Sequence, residues 1–487
     1  MFSVIRNFLF SNQTIRQTVA KNTFWMAFGQ FGGRMCRALI IIYAARILGA
    51  TEWGVFSYAV GFVAFLTIFT DFGISPVLTR ETVRTGDPEH RSRIISTAFI
   101  SKLVLLFFGV LVVIFIAPRI ASIKEAAALF PIVAFVFVFD TLREFGFSLN
   151  RALEKMEWEA GLYILTNVAI VSFGFLFLYY SPNVFSFSYA YAIGTGIGAF
   201  ATFYVLRSHF KNLFYYFSPH LLLPLLAAAW PFALSSAIGS LTINTDILMI
   251  GAFRSAADVG FYSAAQRPVQ ILYLIPGILA VSLFPTLSRI AFEDKERLRS
   301  ILERVISMAF LFAIPIAIGG IILASGIITI LFGADYMNSV RPLQILLLTI
   351  MINFPATLLS NAIFALDEQK KLVSFAAIAG LSNVALDLLL IPYLGIVGAA
   401  ITTVFAQFIS NAYLWKHLKR LTHFSVLLHL KNIVFATILM GAIVKLGAIL
   451  HINTMMNIGI GALVYGGILY ALREPLLMEL ARTFKKT

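Results

Sequence analysis

Cysteine occurs once in 487 residues, at Cys36. That excludes an internal disulfide and any multi-cysteine metal site. Charge is also scarce. Asp, Glu, Lys and Arg make up 12% of the chain, about half of what a soluble domain uses to cover its surface. Much of this surface must therefore face something other than water. Several reaction motifs are missing as well. No Gly-rich loop ends in Gly-Lys-Ser/Thr, so ATP-driven pumping has no phosphate cradle. Neither His-Glu-x-x-His nor Gly-x-Ser-x-Gly occurs, and no Asp-x-Asp stands in a large aqueous loop. Catalysis is disfavoured, no cofactor is expected, and transport without hydrolysis remains.

What is present is apolar. Hydrophobic residues are 60% of the chain and the mean hydropathy is +0.89. A helix needs roughly 20 apolar residues to cross the hydrocarbon core. Fourteen stretches qualify: 22–48, 53–79, 93–117, 126–150, 158–180, 184–207, 224–251, 259–289, 300–325, 340–366, 371–392, 395–416, 431–450 and 454–472. They are continuous apolar runs without a solvated face, so they are not strands of a barrel. The predicted fold is an all-α integral membrane protein of about 14 transmembrane helices, here called spans one to fourteen.

The net charge of +14 would point to nucleic acid in a soluble protein. Here it reflects loops facing an anionic membrane surface, and no nucleic-acid partner is expected. With the N-terminus in the cytoplasm and alternating sides, the cytoplasmic tails and loops hold 26 Lys or Arg, the outer loops five and the spans six. This asymmetry follows the positive-inside rule. It predicts a multi-pass protein of the plasma (inner) membrane with both termini cytoplasmic. Residues 1–21 read as a cytoplasmic surface segment, not a signal peptide.

A weak repeat divides the chain. Glu52-Trp53-Gly54-Val55-Phe56-Ser57-Tyr58-Ala59 opens span two. Asp258-Val259-Gly260-Phe261-Tyr262-Ser263-Ala264-Ala265 opens span eight, 206 residues later. Six spans separate the copies, so the halves share one orientation, as in parallel-repeat transporters. The expected organisation is an N-lobe over 22–210 (spans one to six) and a C-lobe over 211–420 (spans seven to twelve). Two extra spans follow over 421–472, then a cytoplasmic tail over 473–487.

An ionisable side chain within a bilayer costs at least about 2.5 kcal/mol at the helix centre, so each is a candidate site. Arg34 and Arg37 stand three apart near the middle of span one, after Gly32-Gly33. Two guanidinium forks suit a phosphate or pyrophosphate; the alternative is an ion pair between helices, with Asp71 of span two as partner. Arg267 precedes Pro268 in span eight, where a broken helix ladder fits a cavity wall; the alternative is an Arg that snorkels from a kink. Lys102 of span three is either a cavity cation or a snorkelling lysine. Asp140, Arg143 and Glu144 have the spacing to pair within span four, or to gate. Asp246, after Asn244 and Thr245, and Asp387, after Asn383, each combine a carboxylate with amide or hydroxyl oxygens that can hold Na⁺ or a proton. Prolines inside spans, among them Pro231, Pro276, Pro285, Pro315 and Pro355, suit helices that rock between two access states. The seven His lie in loops or at span ends, with no metal-site spacing.

Four stretches carry a family resemblance. The first runs from Gly33-Arg34 through Ala45-Arg46-Ile47-Leu48-Gly49 and Glu52-Trp53-Gly54 to Asp71-Phe72-Gly73. The second is Thr245 to Gly251 with Val259 to Ala265. The third is Leu331-Phe332-Gly333 with Tyr336, and the fourth is Asn383 to Asp387 with Pro392 and Gly395 to Ala399. The chain resembles the polysaccharide (O-antigen, Wzx-type) flippases of the multidrug/oligosaccharidyl-lipid/polysaccharide exporter superfamily. The resemblance implies two six-helix lobes facing each other as a V around a cationic cavity, with Arg34, Arg37 and Arg267 in position to hold a polyprenyl-pyrophosphate-linked oligosaccharide. It also implies alternating access driven by H⁺ or Na⁺, and a polysaccharide polymerase as partner beside the membrane lipids. Three rivals differ in chemistry. A multidrug/cation antiporter of the same superfamily wants acidic and aromatic cavity groups, a lipid II flippase differs mainly in the sugar, and a membrane glycosyltransferase or polymerase needs an acidic pair and a large outer loop.

Overall fold

A computed structural model describes residues 15–210, 213–277, 280, 287, 290, 295–426 and 430–478. Most of the expected N-terminal segment lies outside the described residues. So do much of the second half of span eight with Pro285, His429, and the tail from 479.

Among the described residues the chain is helical and has no strand. Eleven helices among the described residues are long and apolar enough to cross a membrane. Two of these are double. The helix Ile15–Asp71 holds spans one and two and turns at Gly49, where φ is 72° and ψ 172°. The helix Gln369–Thr422 holds spans eleven and twelve and turns at Gly395, with φ 59° and ψ −137°. Positive φ is the conformation an L side chain avoids and glycine accepts. At Gly49 a Cβ would find open space, so the dihedral alone demands glycine there. Span eight begins in the helix Ala256–Leu272. With each double helix resolved into two and span eight added, the architecture is the expected one of about fourteen spans.

Lipid takes the place of water on the outside. Phe107 is 61%, Phe200 71% and Leu463 78% exposed, an arrangement that only an apolar solvent makes favourable. Polar caps appear where chain leaves the apolar region. Span three starts at Pro88, one residue after Asp87, whose carboxylate accepts from Glu89 N at 3.1 Å and His90 N at 3.2 Å. That is an N-cap followed by a proline whose missing N–H costs the helix nothing. Near its other end span three passes through a π turn at Val112–Ile116.

The chain forms two compact units, Met1–Gly260 and Phe261–Thr487. In the first, spans one and two pack on span five (Met156–Tyr180), span five on span six (Val184–Val205), and span six on span four (Phe130–Ala152). Ile74, Leu78, Ile95, Phe99, Phe145 and Leu206 belong to one buried apolar cluster of this unit. In the second, span nine (Lys295–Phe332) packs on span ten (Val340–Ala365). Spans thirteen (Lys431–Ile449) and fourteen (Thr454–Ala471) pack on span nine. A short 3₁₀ segment precedes span four, at Lys124–Leu129, and another precedes span ten, at Ala334–Ser339. The device recurs at matching places in the two sets of six spans.

The repeated sequence also meets its own copy. A Cβ on Gly54 would fall 1.7 Å from the Ala256 carbonyl oxygen, and one on Gly260 would fall 1.9 Å from that of Ala50. Only glycine allows the two backbones to approach so closely.

Candidate functional site

The first unit gathers cations on span one. Gly33 touches span five so closely that a Cβ there would stand 2.4 Å from Tyr163 Cε1 and 2.8 Å from Asn167 Nδ2. Residue 37 lies four positions on, hence on the same face one turn later. It is there that Arg37 enters. Its Nε donates to Asn167 Oδ1 at 2.7 Å, and its guanidinium carbon lies 5.9 Å from the Tyr163 ring centre and 5.8 Å from that of Tyr191. The Asn167 amide is itself fixed, because its Nδ2 donates to Tyr163 O at 2.7 Å. The donor Nδ2 is thereby spent on backbone, which leaves Oδ1 to face Arg37. Asn167 is fully buried. The two tyrosines and the amide thus clamp a guanidinium whose two Nη groups make no hydrogen bond among the described residues.

Arg34 does not share this setting. It is exposed and makes no hydrogen bond or ion pair among the described residues. The three-residue spacing puts the two arginines near one another along the helix, but Arg37 faces span five and Arg34 turns away from it.

The carboxylates nearby are taken. Asp71 pairs with Lys102, Nζ to Oδ1 at 2.6 Å, and not with the arginines of span one. Ser75 Oγ receives a hydrogen bond from Lys102 Nζ at 3.0 Å and donates to Asp71 Oδ1. Lys102 is buried, which sets it apart from both a free cavity cation and a snorkelling side chain. Asp140 pairs with Arg143 at 2.6 Å, whose guanidinium also lies 5.6 Å from the Phe147 ring centre. Glu144 leaves that helix pairing and bonds Arg151 at 3.0 Å, and Arg151 bonds Glu159 at 2.6 Å. The middle of span one therefore carries two guanidinium groups, Arg34 and Arg37, neither of which has a carboxylate in salt-bridge contact among the described residues.

The other candidates have settings of their own. Arg267 is half-buried and donates from Nη1 to Gln270 Oε1 at 3.2 Å, and the helix continues through Pro268. Asp246 is 1% exposed and Asp387 0%, so both carboxylates are buried and not solvated. Asn383, one turn before Asp387, is buried with an amide that finds no partner among the described residues. Among the described residues no three His, Cys, Asp or Glu gather as a metal site.

Two features were not read from the sequence. Tyr163, Asn167 and Tyr191 give no local signal of serving Arg37, since 130 residues separate Asn167 from it. The second unit also has a cavity of about 530 Å³ between spans eight, nine, ten, thirteen and fourteen, walled by apolar groups such as Pro315, Leu323, Leu347, Met440 and Val444.

Comparison with known proteins agrees with this architecture. A protein of Shigella flexneri named as an O-antigen transporter, with that role marked provisional, is 22% identical over 79% of this chain and 94% of its own length. The probable low-salt glycan biosynthesis flippase Agl15 of Haloferax volcanii is 23% identical over 95% of this chain and 99% of its own. Among solved structures, the lipid II flippase MurJ in an inward closed conformation has the same fold, with a TM-score of 0.77 at 20% identity, over 92% of this chain and 98% of that one. The model of the family described as polysaccharide biosynthesis protein matches residues 19–291, more than half of the chain. On that match the chain belongs to the polysaccharide biosynthesis protein family.

Proposed function

We propose that the protein is a flippase that carries a polyprenyl-pyrophosphate-linked oligosaccharide from the cytoplasmic to the outer leaflet, for synthesis of O-antigen, capsule or exopolysaccharide. The observation that carries this reading is that neither Arg37, clamped against span five, nor Arg34, exposed on span one, has a carboxylate in salt-bridge contact among the described residues. A cation held inside a membrane protein without a carboxylate partner is costly, and an anionic substrate offsets that cost when it arrives. Pyrophosphate has the charge and the paired oxygens that Arg forks match. A cationic drug would meet repulsion at the same place, which disfavours the multidrug antiporter.

The names of the relatives support the same class of cargo, and a transporter of this kind needs no catalytic group. The tail of the substrate needs an apolar surface. The cavity beside spans nine, thirteen and fourteen suits it, with walls that offer carbon almost throughout. Arg267 adds a cation on span eight. The buried carboxylates Asp246 and Asp387 are the candidates for coupling to H⁺ or Na⁺, since each would change charge on binding either. The protein works by alternating access in the plasma membrane, with both termini cytoplasmic.

The test is Arg34→Ala in cells that make the lipid-linked glycan, with protein level and membrane insertion checked. Loss of glycan exposure on the outer face at normal protein level supports the reading. Unchanged exposure for both Arg34→Ala and Arg37→Ala would remove its basis.

A further inference from the structure

The second unit contains a polar surface of a different kind, without charge. Span ten carries Thr349, Asn353, Thr357 and Asn361, each four residues after the last. Residues four apart stack along one side of a helix, so these side chains form a stripe about 18 Å long at 1.5 Å per residue. Span twelve faces it with Gln407. Asn353 Nδ2 donates to Gln407 Oε1 at 2.8 Å. The Tyr273 hydroxyl bonds that of Thr349 and neighbours Asn353 and Gln407.

Polar side chains between membrane helices often serve as glue, and Asn353 with Gln407 does so. The rest of the stripe does not. Thr357 Oγ1 donates to Asn353 O at 2.9 Å, and Asn361 Nδ2 donates to Thr357 O at 2.8 Å. Both spend a donor on their own helix and hold no neighbouring span. The Asn361 amide oxygen accepts no hydrogen bond among the described residues. Both side chains are half-buried, so they reach a surface. Against lipid such groups would be unsatisfied; against water or a hydroxylated ligand they are not.

We propose that this face of spans ten and twelve binds the sugar hydroxyls of the cargo, with Asn353, Thr357, Asn361 and Gln407 as its contacts. Sugar hydroxyls both donate and accept, and are neutral. Amides and hydroxyls match them in each respect. The inference rests on the proposed function and deepens it: the stripe supplies uncharged partners for the glycan part of that cargo.

The experiment compares two probes with the same tail and pyrophosphate, one bearing a tetrasaccharide and one a single sugar. Each is reconstituted in proteoliposomes, and arrival at the opposite leaflet is read with an impermeant lectin that recognises the sugar both share. The variants are Thr357→Val/Asn361→Leu, which leaves the contact between spans intact, and Asn353→Leu. Tetrasaccharide transport by the first variant is expected to fall about tenfold, as loss of one or two hydrogen bonds implies, and transport of the single-sugar probe, which offers fewer hydroxyls, to fall less. An equal fall for both probes, or no fall for either, overturns the stripe as a glycan site. Failure of the unsubstituted protein to move either probe overturns the proposed function itself, and the stripe's role with it.

Discussion

Lys102 Nζ lies 2.6 Å from Asp71 Oδ1, and the lysine side chain is 2% exposed. The pair joins span three to span two inside the first unit. Removing one partner of a buried pair strands the other charge, which costs several kcal/mol, whereas replacing both is often nearly neutral. Lys102→Met is expected to destabilise by about 3 kcal/mol, at the low end because Asp71 keeps 28% of its side chain exposed. Lys102→Met/Asp71→Asn is expected to regain most of that. Thermal unfolding in detergent measures both, and equal melting of the single and double variants would show that the pair is not coupled.

Arg37 offers a separate test of the clamp around it. Lysine keeps the charge but neither stacks between rings nor presents a fork. Arg37→Lys is expected to lower outer-face glycan exposure about tenfold, with normal protein level. Asn167→Leu removes the acceptor that orients Nε, and a similar loss is expected. If Arg37→Lys transports as well as the natural protein, charge alone suffices and the clamp has no role.

Gly49 and Gly395 predict a contrast among glycine substitutions. Each has positive φ, so Gly49→Ala and Gly395→Ala should each cost about 1–2 kcal/mol. Gly86→Ala is the control. Gly86 lies outside the helices, its φ is not in the positive range, and a Cβ there meets open space. A scan that finds all three alike would contradict the turn geometry at 49 and 395.

Gly54 and Gly260 fail for a different reason, contact and not dihedral. Adding a methyl to either must push the facing backbones away from each other, and overpacking costs about 1–3 kcal/mol. Gly54→Ala and Gly260→Ala should each lower the melting temperature. The double variant should lose less than the sum, because one separation relieves both. Full additivity would show that the two glycines act at independent sites.

The spans were legible because a bilayer imposes length and continuity, and 18 or more apolar residues in a row have few other uses. The charges within spans were legible for the converse reason. Their partners were legible within one helix, as for Asp140 and Arg143, but not between helices. Nothing at position 102 says that Asp71, 31 residues away, will neutralise it, since that depends on how spans two and three pack. Arg34 and Arg37 showed the same limit. Their spacing suggested one shared face, yet the packing of Gly33 on Tyr163 turns Arg37 toward span five and leaves Arg34 exposed. The stripe on span ten was visible in principle, as four polar residues at intervals of four. Its residues are uncharged, and their cost in a membrane is modest enough to pass for ordinary packing.

At the crossing near Gly54, residue 54 meets 256 while residue 260 meets 50, and each member of one pair stands 206 positions from its counterpart in the other. Such reciprocity is the mark of an isologous interface, where i touches j and j touches i. Two identical short chains side by side about a two-fold axis would make this same contact, and any substitution in them would be felt twice. Joined in one polypeptide, the two short segments have to match only where they touch. Farther along, span four carries Asp140 and Arg143, while the polar side chains in the middle of span ten are amides and hydroxyls.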